Sequence, residues 1–349
     1  MTNSLQRTLT ALSFKEPDRV PLFLLFSITG AKFQNCSIKN YFTDAEAVAE
    51  AQLLMQKRYR QDCLYAFYYA SAETEAFGGD TIYFDDGPPN AGAPIIRSAA
   101  DIAKLTVPVL EEVPVLQRIL TTEQLLKQQV GDQVPIVGVT ISPFSLPVMQ
   151  MGFEAYLELM YNDEQAFWQL MKINEEFSVN WANAQLAAGA TAICYFDPVS
   201  STTIIPREKY LQTGYKIAKR TIAKINGPTA THMASGRCAP IVDDLAETGT
   251  AIIGVSTLED ISHLKQASFG KVNLLGNLNA VEMRRWSEKQ TEQEVKKLIA
   301  KAAVGGGFLL GENHGEIPWQ VPDEVLMRIS ETVQKWGNYP LDWVDDYGF

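Results

Sequence analysis

Two of the three histidines in this 349-residue chain lie where they could do chemistry. His232 ends a short apolar run, and His314 lies in the polar sequence GENHGE. Cys238 follows His232 by six residues, across a turn that could fold the thiol back. Imidazole and thiolate are good zinc ligands, and a catalytic zinc usually has three protein ligands and one open position. The pattern predicts a zinc site of His232, Cys238 and His314; the alternatives are a structural cysteine and core histidines bonded to neighbouring carbonyls.

Two carboxylates are candidates for catalysis. Asp197 directly follows the apolar run 192–196, where an unpaired charge would be unfavourable, so it is either satisfied by neighbouring amides or binds something. Glu73 and Glu75 lie in YYASAETEAFGG and point to different faces of a predicted helical turn. We take Glu75 as the solvated residue and Glu73 as the inward one, which makes Asp197 and Glu73 the predicted catalytic pair.

Polar residues also follow the last three apolar runs of the chain. Ser256, Asn277 and Glu312 come after the sixth, seventh and eighth runs, and we predict that they bind substrate. His263 is different, because it lies within LEDISHLKQ, which has the pattern of a helix. It is therefore left out of the predicted site.

The elements that must position these residues are short apolar runs alternating with longer amphipathic segments. This pattern is typical of parallel strands alternating with helices, and eight strands are what a closed (β/α)8 barrel requires. In such a barrel the active site lies at the carboxyl ends of the strands, so the polar residues above gather at one mouth. The eight predicted strands are residues 20–26, 63–67, 135–141, 192–196, 229–233, 251–255, 272–275 and 307–310.

Nothing in the sequence argues for a second domain, so residues 1–349 are predicted to form one TIM barrel. The turn-rich stretch 77–113, with GGD and DDGPPNAGAP, reads as an insertion over one face. The aromatic and acidic tail 337–349 could dock on the barrel or on a second copy of the chain, which would make a homodimer.

Composition narrows the functional class. The net charge is -11 and Lys and Arg form no cluster, which argues against nucleic acid as a partner. No leader pattern and no apolar stretch of membrane-spanning length occurs, so we expect a soluble, cytoplasmic protein without a membrane partner. The four scattered cysteines are expected to be reduced.

Several segments together resemble the uroporphyrinogen decarboxylase superfamily, and within it the cobalamin-dependent methyltransferases that work with corrinoid proteins. The resemblance covers most of the chain and implies a (β/α)8 barrel. Its landmarks, in order, are RTLTALSFKEPDRVPLFLLF, AETEAFGGD, AAGATAICYFDPVSSTTIIPREKY, THMASGRCAPIVDDLAETGTAIIGVSTLEDISHLKQ, KVNLLGNLNAVEM and GENHGEIPWQVPDEVL.

The decarboxylases and the methyltransferases differ in the residues that they have at the site. Decarboxylases have an arginine-bearing motif after the first strand, where this chain has SITGAKFQNC with Lys32 as its only cation, although His314 resembles the histidine of their closing motif. In the methyltransferases a histidine and a nearby cysteine after the fifth strand hold zinc with a further cysteine after the eighth. His232 matches the first of these; the cysteine spacing is His-x5-Cys, and Glu312, His314 and Glu316 stand near the third position. An oxygen- and nitrogen-rich ligand set would suit an ether or alcohol substrate.

The resemblance therefore implies zinc-assisted transfer of a methyl group between a corrinoid protein and a small thiol or an O-, N- or S-methylated compound. No Asp-x-His-x-x-Gly motif occurs, so the corrinoid is expected on a separate protein. Two alternatives stay open: a decarboxylase of the uroporphyrinogen type, and a metal-free member that binds a ligand without turnover.

Overall fold

The computed structural model describes residues 2–347 and contains ten strands. Eight of them form one parallel sheet, and β3 and β4 form a separate antiparallel hairpin. The strands are β1 Leu22–Phe23, β2 Leu64–Tyr65, β3 Thr81–Ile82, β4 Asn90–Ala91, β5 Ile136–Ile141, β6 Ala192–Phe196, β7 Thr229–His232, β8 Ile252–Gly254, β9 Asn273–Leu278 and β10 Phe308–Glu312.

Helices surround this sheet. They are α1 Ser4–Leu12, α2 Gly30–Phe33, α3 Ile38–Tyr41, α4 Ala45–Tyr59, α5 Ala72–Ala76, α6 Ala99–Ile102, α7 Pro114–Val130, α8 Pro147–Met151, α9 Phe153–Asn162, α10 Glu164–Ala188, α11 Arg207–Gln212, α12 Gly214–Ile222, α13 Val242–Ala246, α14 Ile261–Ser268, α15 Glu288–Ala302 and α16 Asp323–Trp336. None of the helices in the described part of the chain is long and apolar enough to cross a membrane.

The large sheet curls into a (β/α)8 barrel with strand order β1-β10-β9-β8-β7-β6-β5-β2. Its strands are apolar because both faces are covered: every residue of β5 and of β9 is buried. Each of the eight predicted strands overlaps an observed one, and the predicted fold class is confirmed.

The seam between β1 and β2 is closed by Asp62. Its N–H donates to the Leu22 carbonyl at 2.8 Å, and its carboxylate accepts the Leu22 N–H at 2.9 Å. The side chain is fully buried, and the guanidinium groups of Arg7 and Arg19 each lie 2.7 Å from it. These two cations compensate the burial of the carboxylate.

The helical segment after β6 is interrupted. It consists of α11 and α12, which meet at Thr213, where φ is -124° and ψ is -88°. A Cβ at Gly214 would lie 2.4 Å from the Ser200 hydroxyl, so the break brings the helix backbone against the loop after β6. This contact depends on tertiary packing, which a local helical pattern does not report.

The insertion 77–113 holds the β3–β4 hairpin and α6 and lies over the mouth of the barrel. The described part of the tail docks on the barrel of its own chain: the Trp343 indole N–H donates to the Trp336 carbonyl at 2.9 Å, and Asn338 pairs with Arg19. Residues 348–349 lie outside the described residues.

Candidate functional site

A cavity of about 630 Å³ opens at the mouth of the barrel, where the carboxyl ends of the strands meet the insertion. Pro88 and Pro89 of the hairpin loop form part of its rim. The remaining wall is mostly aromatic and aliphatic. Among the described residues that line it, His314 and Glu316 are the ionisable ones, and none is Lys or Arg.

His232 ends β7, as predicted, and is buried. Its Nδ1 accepts the Ala234 N–H at 3.0 Å, so the proton of the neutral ring is on Nε2. Burial, together with the nearby His314, lowers the pKa of His232 to about 4, and the ring is neutral at physiological pH. The ring centroid lies 4.8 Å from that of Phe196.

His314 lies in the turn after β10 and borders the cavity. The turn is held by Glu312, whose Oε2 accepts the N–H groups of His314 at 2.6 Å and Gly315 at 2.9 Å. Burial lowers the pKa of His314, and its Nδ1 is buried without a hydrogen-bond partner among the described residues. The imidazole therefore has an unused polar atom near the cavity.

Glu316 is a third polar group of the same turn. Its Oε1 accepts the Ile28 N–H at 3.2 Å. Burial raises the pKa of Glu316 to about 7, hydrogen bonds from Ile28 and Ser27 oppose the rise, and the charge of Glu312 adds to it. The pKa of Glu312 is also raised to about 7 by burial. A carboxyl group with this pKa can give or take a proton near neutral pH.

The predicted catalytic residue Asp197 is buried behind the cavity wall. Its carboxylate accepts the hydroxyls of Ser142 at 2.6 Å, Ser145 at 2.9 Å and Ser200 at 2.6 Å. Burial raises the pKa of Asp197, and the three serines counteract the rise. The carboxylate has its partners within the protein and fixes the loops after β5 and β6.

The other predicted catalytic residue, Glu73, lies in the first turn of α5 and faces the barrel wall. It is buried, as predicted, and its Oε1 accepts the Ile141 N–H at 2.8 Å, whereas Glu75 is partly exposed and accepts the Tyr69 hydroxyl at 2.9 Å. Burial raises the pKa of Glu73 to about 8, opposed by hydrogen bonds from Ile141, Thr140 and Trp181. Glu73 is not among the residues that line the cavity.

All three predicted substrate-binding residues have hydrogen-bond partners within the protein. The Ser256 hydroxyl donates to the Ser235 carbonyl at 3.0 Å, and the Asn277 amide donates to the Ser256 carbonyl at 2.8 Å. Both are buried, and neither borders the large cavity. Glu312, the third, acts on the site by holding the turn that carries His314.

Cys238 is buried beside Glu259, whose carboxylate accepts the N–H of Cys238 at 2.8 Å. Burial raises the pKa of the Cys238 thiol, and the carboxylate raises it further. Zinc binds thiolate, whereas these surroundings favour the neutral thiol form of Cys238. His263 lies in α14 and is exposed, in agreement with the sequence pattern.

The residues present do not fit the predicted zinc. Within residues 2–347 no group of three His, Cys, Asp or Glu side chains is placed to hold a metal ion. His232 and His314 are neighbours, but the structure does not bring Cys238 to them as a third ligand. A ligating histidine donates its second ring N–H to an acceptor, whereas Nδ1 of His232 accepts a backbone N–H. Among the described residues the structure does not assemble His232, Cys238 and His314 as the predicted zinc site, and the metal content of the protein is left to measurement.

Comparison with known proteins identifies the family. The family model described as uroporphyrinogen decarboxylase matches residues 3–336. The chain belongs to the uroporphyrinogen decarboxylase family. A family member from Methylococcus capsulatus, named uroporphyrinogen decarboxylase, is 26% identical over 83% of this chain and 84% of its own length. Another of that name, from Idiomarina loihiensis, is 23% identical over 95% of both chains.

Solved structures show the same fold. A methyltransferase from Methanosarcina mazei superposes with a TM-score of 0.84, at 20% identity over 96% of this chain and 99% of its own. A B12-independent methionine synthase from Shewanella superposes with a TM-score of 0.54 at 13% identity, over 83% of this chain and 87% of its own.

Three residues that border the cavity have no catalytic or substrate-binding role in the sequence prediction. Glu316, two residues after His314 in GENHGE, is named there only as standing near the third ligand position. Ser201 and Phe67 gave no signal, because a serine in a loop and a phenylalanine at the end of a strand are common in any barrel.

Proposed function

We propose that this chain is a methyltransferase that moves a methyl group between a small, uncharged heteroatom compound and a corrinoid carried by a separate protein. The observation that carries this proposal is the cavity at the barrel mouth, with mostly apolar walls, the two ionisable side chains of His314 and Glu316 and no lining cation among the described residues. Such a cavity favours a neutral, mostly apolar substrate, because an unpaired charge would be poorly solvated there.

Two lines of support concern methyl transfer itself. The Methanosarcina mazei protein that shares the fold over nearly the whole chain is named a methyltransferase. The corrinoid part of the proposal is supported by the resemblance of the sequence motifs to cobalamin-dependent methyltransferases. The exposed side chain of Phe153, at the start of α9, borders the cavity and suits contact with a largely apolar macrocycle. The corrinoid, when bound by its carrier, would supply the centre that gives or accepts the methyl group.

Glu316 is the proposed acid and base. When the bond from the methyl carbon to the substrate heteroatom breaks, the electron pair stays on the heteroatom, and the carboxyl of Glu316 donates a proton to it. In the opposite direction the carboxylate removes that proton from a thiol or hydroxyl. A pKa of about 7 serves both directions near neutral pH. Nδ1 of His314 is available to hydrogen-bond the substrate.

Decarboxylation of a porphyrinogen is the second candidate, and the names of the sequence relatives favour it. Its substrate carries several carboxylates, which proteins bind with guanidinium or ammonium groups. Lys32, the cation after β1, donates to the Trp319 carbonyl and lies over the Trp319 ring, 4.5 Å from its centroid. It is not among the residues that line the cavity, so this candidate ranks second.

The test uses the purified full chain with reduced cobalamin, whose absorbance changes on methylation, and a panel of O-, N- and S-methylated compounds. We expect the chain to accelerate methylation with at least one donor, and Glu316→Gln to slow it by about 10- to 100-fold. The control, Glu75→Gln, changes a carboxylate outside the cavity and should leave the rate unchanged. Release of CO2 from uroporphyrinogen, without methyl transfer from any donor, would overturn the ranking.

A further inference from the structure

We infer that the cavity selects a substrate with an aromatic ring, packed against Phe67 and Phe196, and a neutral heteroatom group hydrogen-bonded by Ser201. This inference rests on the proposed function in one respect, because it treats the bound ligand as a substrate. The binding site itself is argued from the cavity alone.

Aromatic side chains form one wall of the cavity. The ring centroids of Phe67 and Phe196 lie 6.0 Å apart with an angle of 37° between the planes, and His232 continues the row behind Phe196. Aromatic rings prefer offset or edge contacts at such separations, which a ring-bearing ligand can extend. A saturated ligand of the same size would gain only the burial of its surface.

Glycine fixes the position of the central ring. Gly315 has a φ of 88°, and a Cβ there would lie 2.4 Å from Cε1 of Phe196. The turn that carries His314 and Glu316 is thus packed directly on the edge of this ring. A ring bound on the aromatic wall is thereby held beside His314 and Glu316.

Ser201 supplies an unused polar atom in the same cavity. It is fully buried, and its Oγ has no hydrogen-bond partner among the described residues. A buried hydroxyl without a partner is unfavourable, and an oxygen, nitrogen or sulfur of a ligand would satisfy it. The neighbouring Thr202 differs: its hydroxyl donates to the Arg237 carbonyl at 3.1 Å, and it does not border the cavity.

The charge of the lining residues and the volume of the cavity restrict the class of ligand further. The pKa of Glu316 is raised because burial opposes its negative charge, and an anionic ligand would face the same penalty without a lining cation. A volume of about 630 Å³ falls within the range of small-molecule sites and accommodates one substituted ring. These observations together favour an uncharged aryl ether, thioether or amine.

The test measures binding of three probes to the full chain by calorimetry, without any corrinoid. The probes are 2-methoxyphenol, its saturated counterpart 2-methoxycyclohexanol, and the anion 3-methoxybenzoate. We expect 2-methoxyphenol to bind at least about tenfold more tightly than either of the others. Ser201→Ala should weaken its binding by about five- to tenfold, the usual effect of one neutral hydrogen bond. Phe67→Leu should reduce the preference for the aromatic probe.

Thr202→Val is the matched control and should bind the probes as the wild type does, with circular dichroism confirming that each variant is folded. Equal binding of the aromatic and saturated probes, tighter binding of the anion, no effect of Ser201→Ala, or no measurable binding would each overturn the inference. Ring binding without cobalamin methylation would instead count against the proposed function, because the binding assay does not depend on methyl transfer.

Discussion

Replacing the buried carboxyl of Glu73 with an amide is expected to change how stability depends on pH. Glu73 is 4% exposed, and its pKa is raised from 4.5 to about 8. Between these two values the unfolded chain loses the proton while the folded chain keeps it. The Glu73 contribution to stability is therefore complete below pH 4.5 and declines as the pH rises toward 8.

The magnitude follows from the two pKa values. The loss grows by about 1.4 kcal/mol for each pH unit well above 4.5. It amounts to roughly 1 kcal/mol at pH 5 and 3 kcal/mol at pH 7, a difference of about 2 to 3 kcal/mol over this range. Glu73→Gln keeps an acceptor for the Ile141 N–H and does not titrate. Relative to the variant, wild type should therefore lose this amount between pH 5 and pH 7.

Urea unfolding followed by circular dichroism at pH 5, 6 and 7 measures the free energy of unfolding of each protein. Glu75→Gln, two residues away and partly exposed, is the control and should follow wild type at each pH. If the Glu73→Gln and wild-type values stay parallel from pH 5 to pH 7, Glu73 is ionised in the folded protein. The account of its burial would then be wrong.

Three further predictions concern the site. Asp197→Ala leaves three buried serine hydroxyls without their acceptor, so we expect a loss of about 2 to 4 kcal/mol in the free energy of unfolding, measured in urea; a loss below 1 kcal/mol would contradict the structural role given to this carboxylate. Gly315→Ala places a Cβ against Phe196 at a φ of 88°, and it should destabilise the protein by about 1 to 3 kcal/mol, whereas Gly131→Ala, also at positive φ but with open space around it, tests the backbone effect alone. Elemental analysis of protein purified without chelator should find far less than one zinc per chain, and one zinc lost on His232→Ala would contradict this reading of the donor set.

The barrel could be predicted from the sequence because its strands are continuous apolar runs. Strands such as β5 are buried on both faces, and this requirement leaves a run of β-branched residues that is hard to mistake. The same rule placed His232, Asp197 and Glu312 at the ends of their strands. The position of a residue along a strand depends on the nearby sequence, so the local pattern could predict it.

The partners of these residues could not be predicted in the same way. Asp197 is held by serines 55, 52 and 3 residues away in the chain, and Cys238 by Glu259, 21 residues further along. A strand end brings a residue to the mouth but does not say whether it faces the cavity or another loop. Orientation depends on side-chain packing among several distant segments, and no single segment of sequence reports it.

The buried carboxylate of Asp62 has a consequence for the protein in solution. β1 and β2 are two-residue strands, and Asp62, with Arg7 and Arg19, joins them on the side of the barrel away from the mouth. Closure is what removes free edges from a sheet, and free edges recruit other chains. Sequence changes at Asp62 would therefore be seen first as self-association of the protein, while the substrate cavity could remain intact.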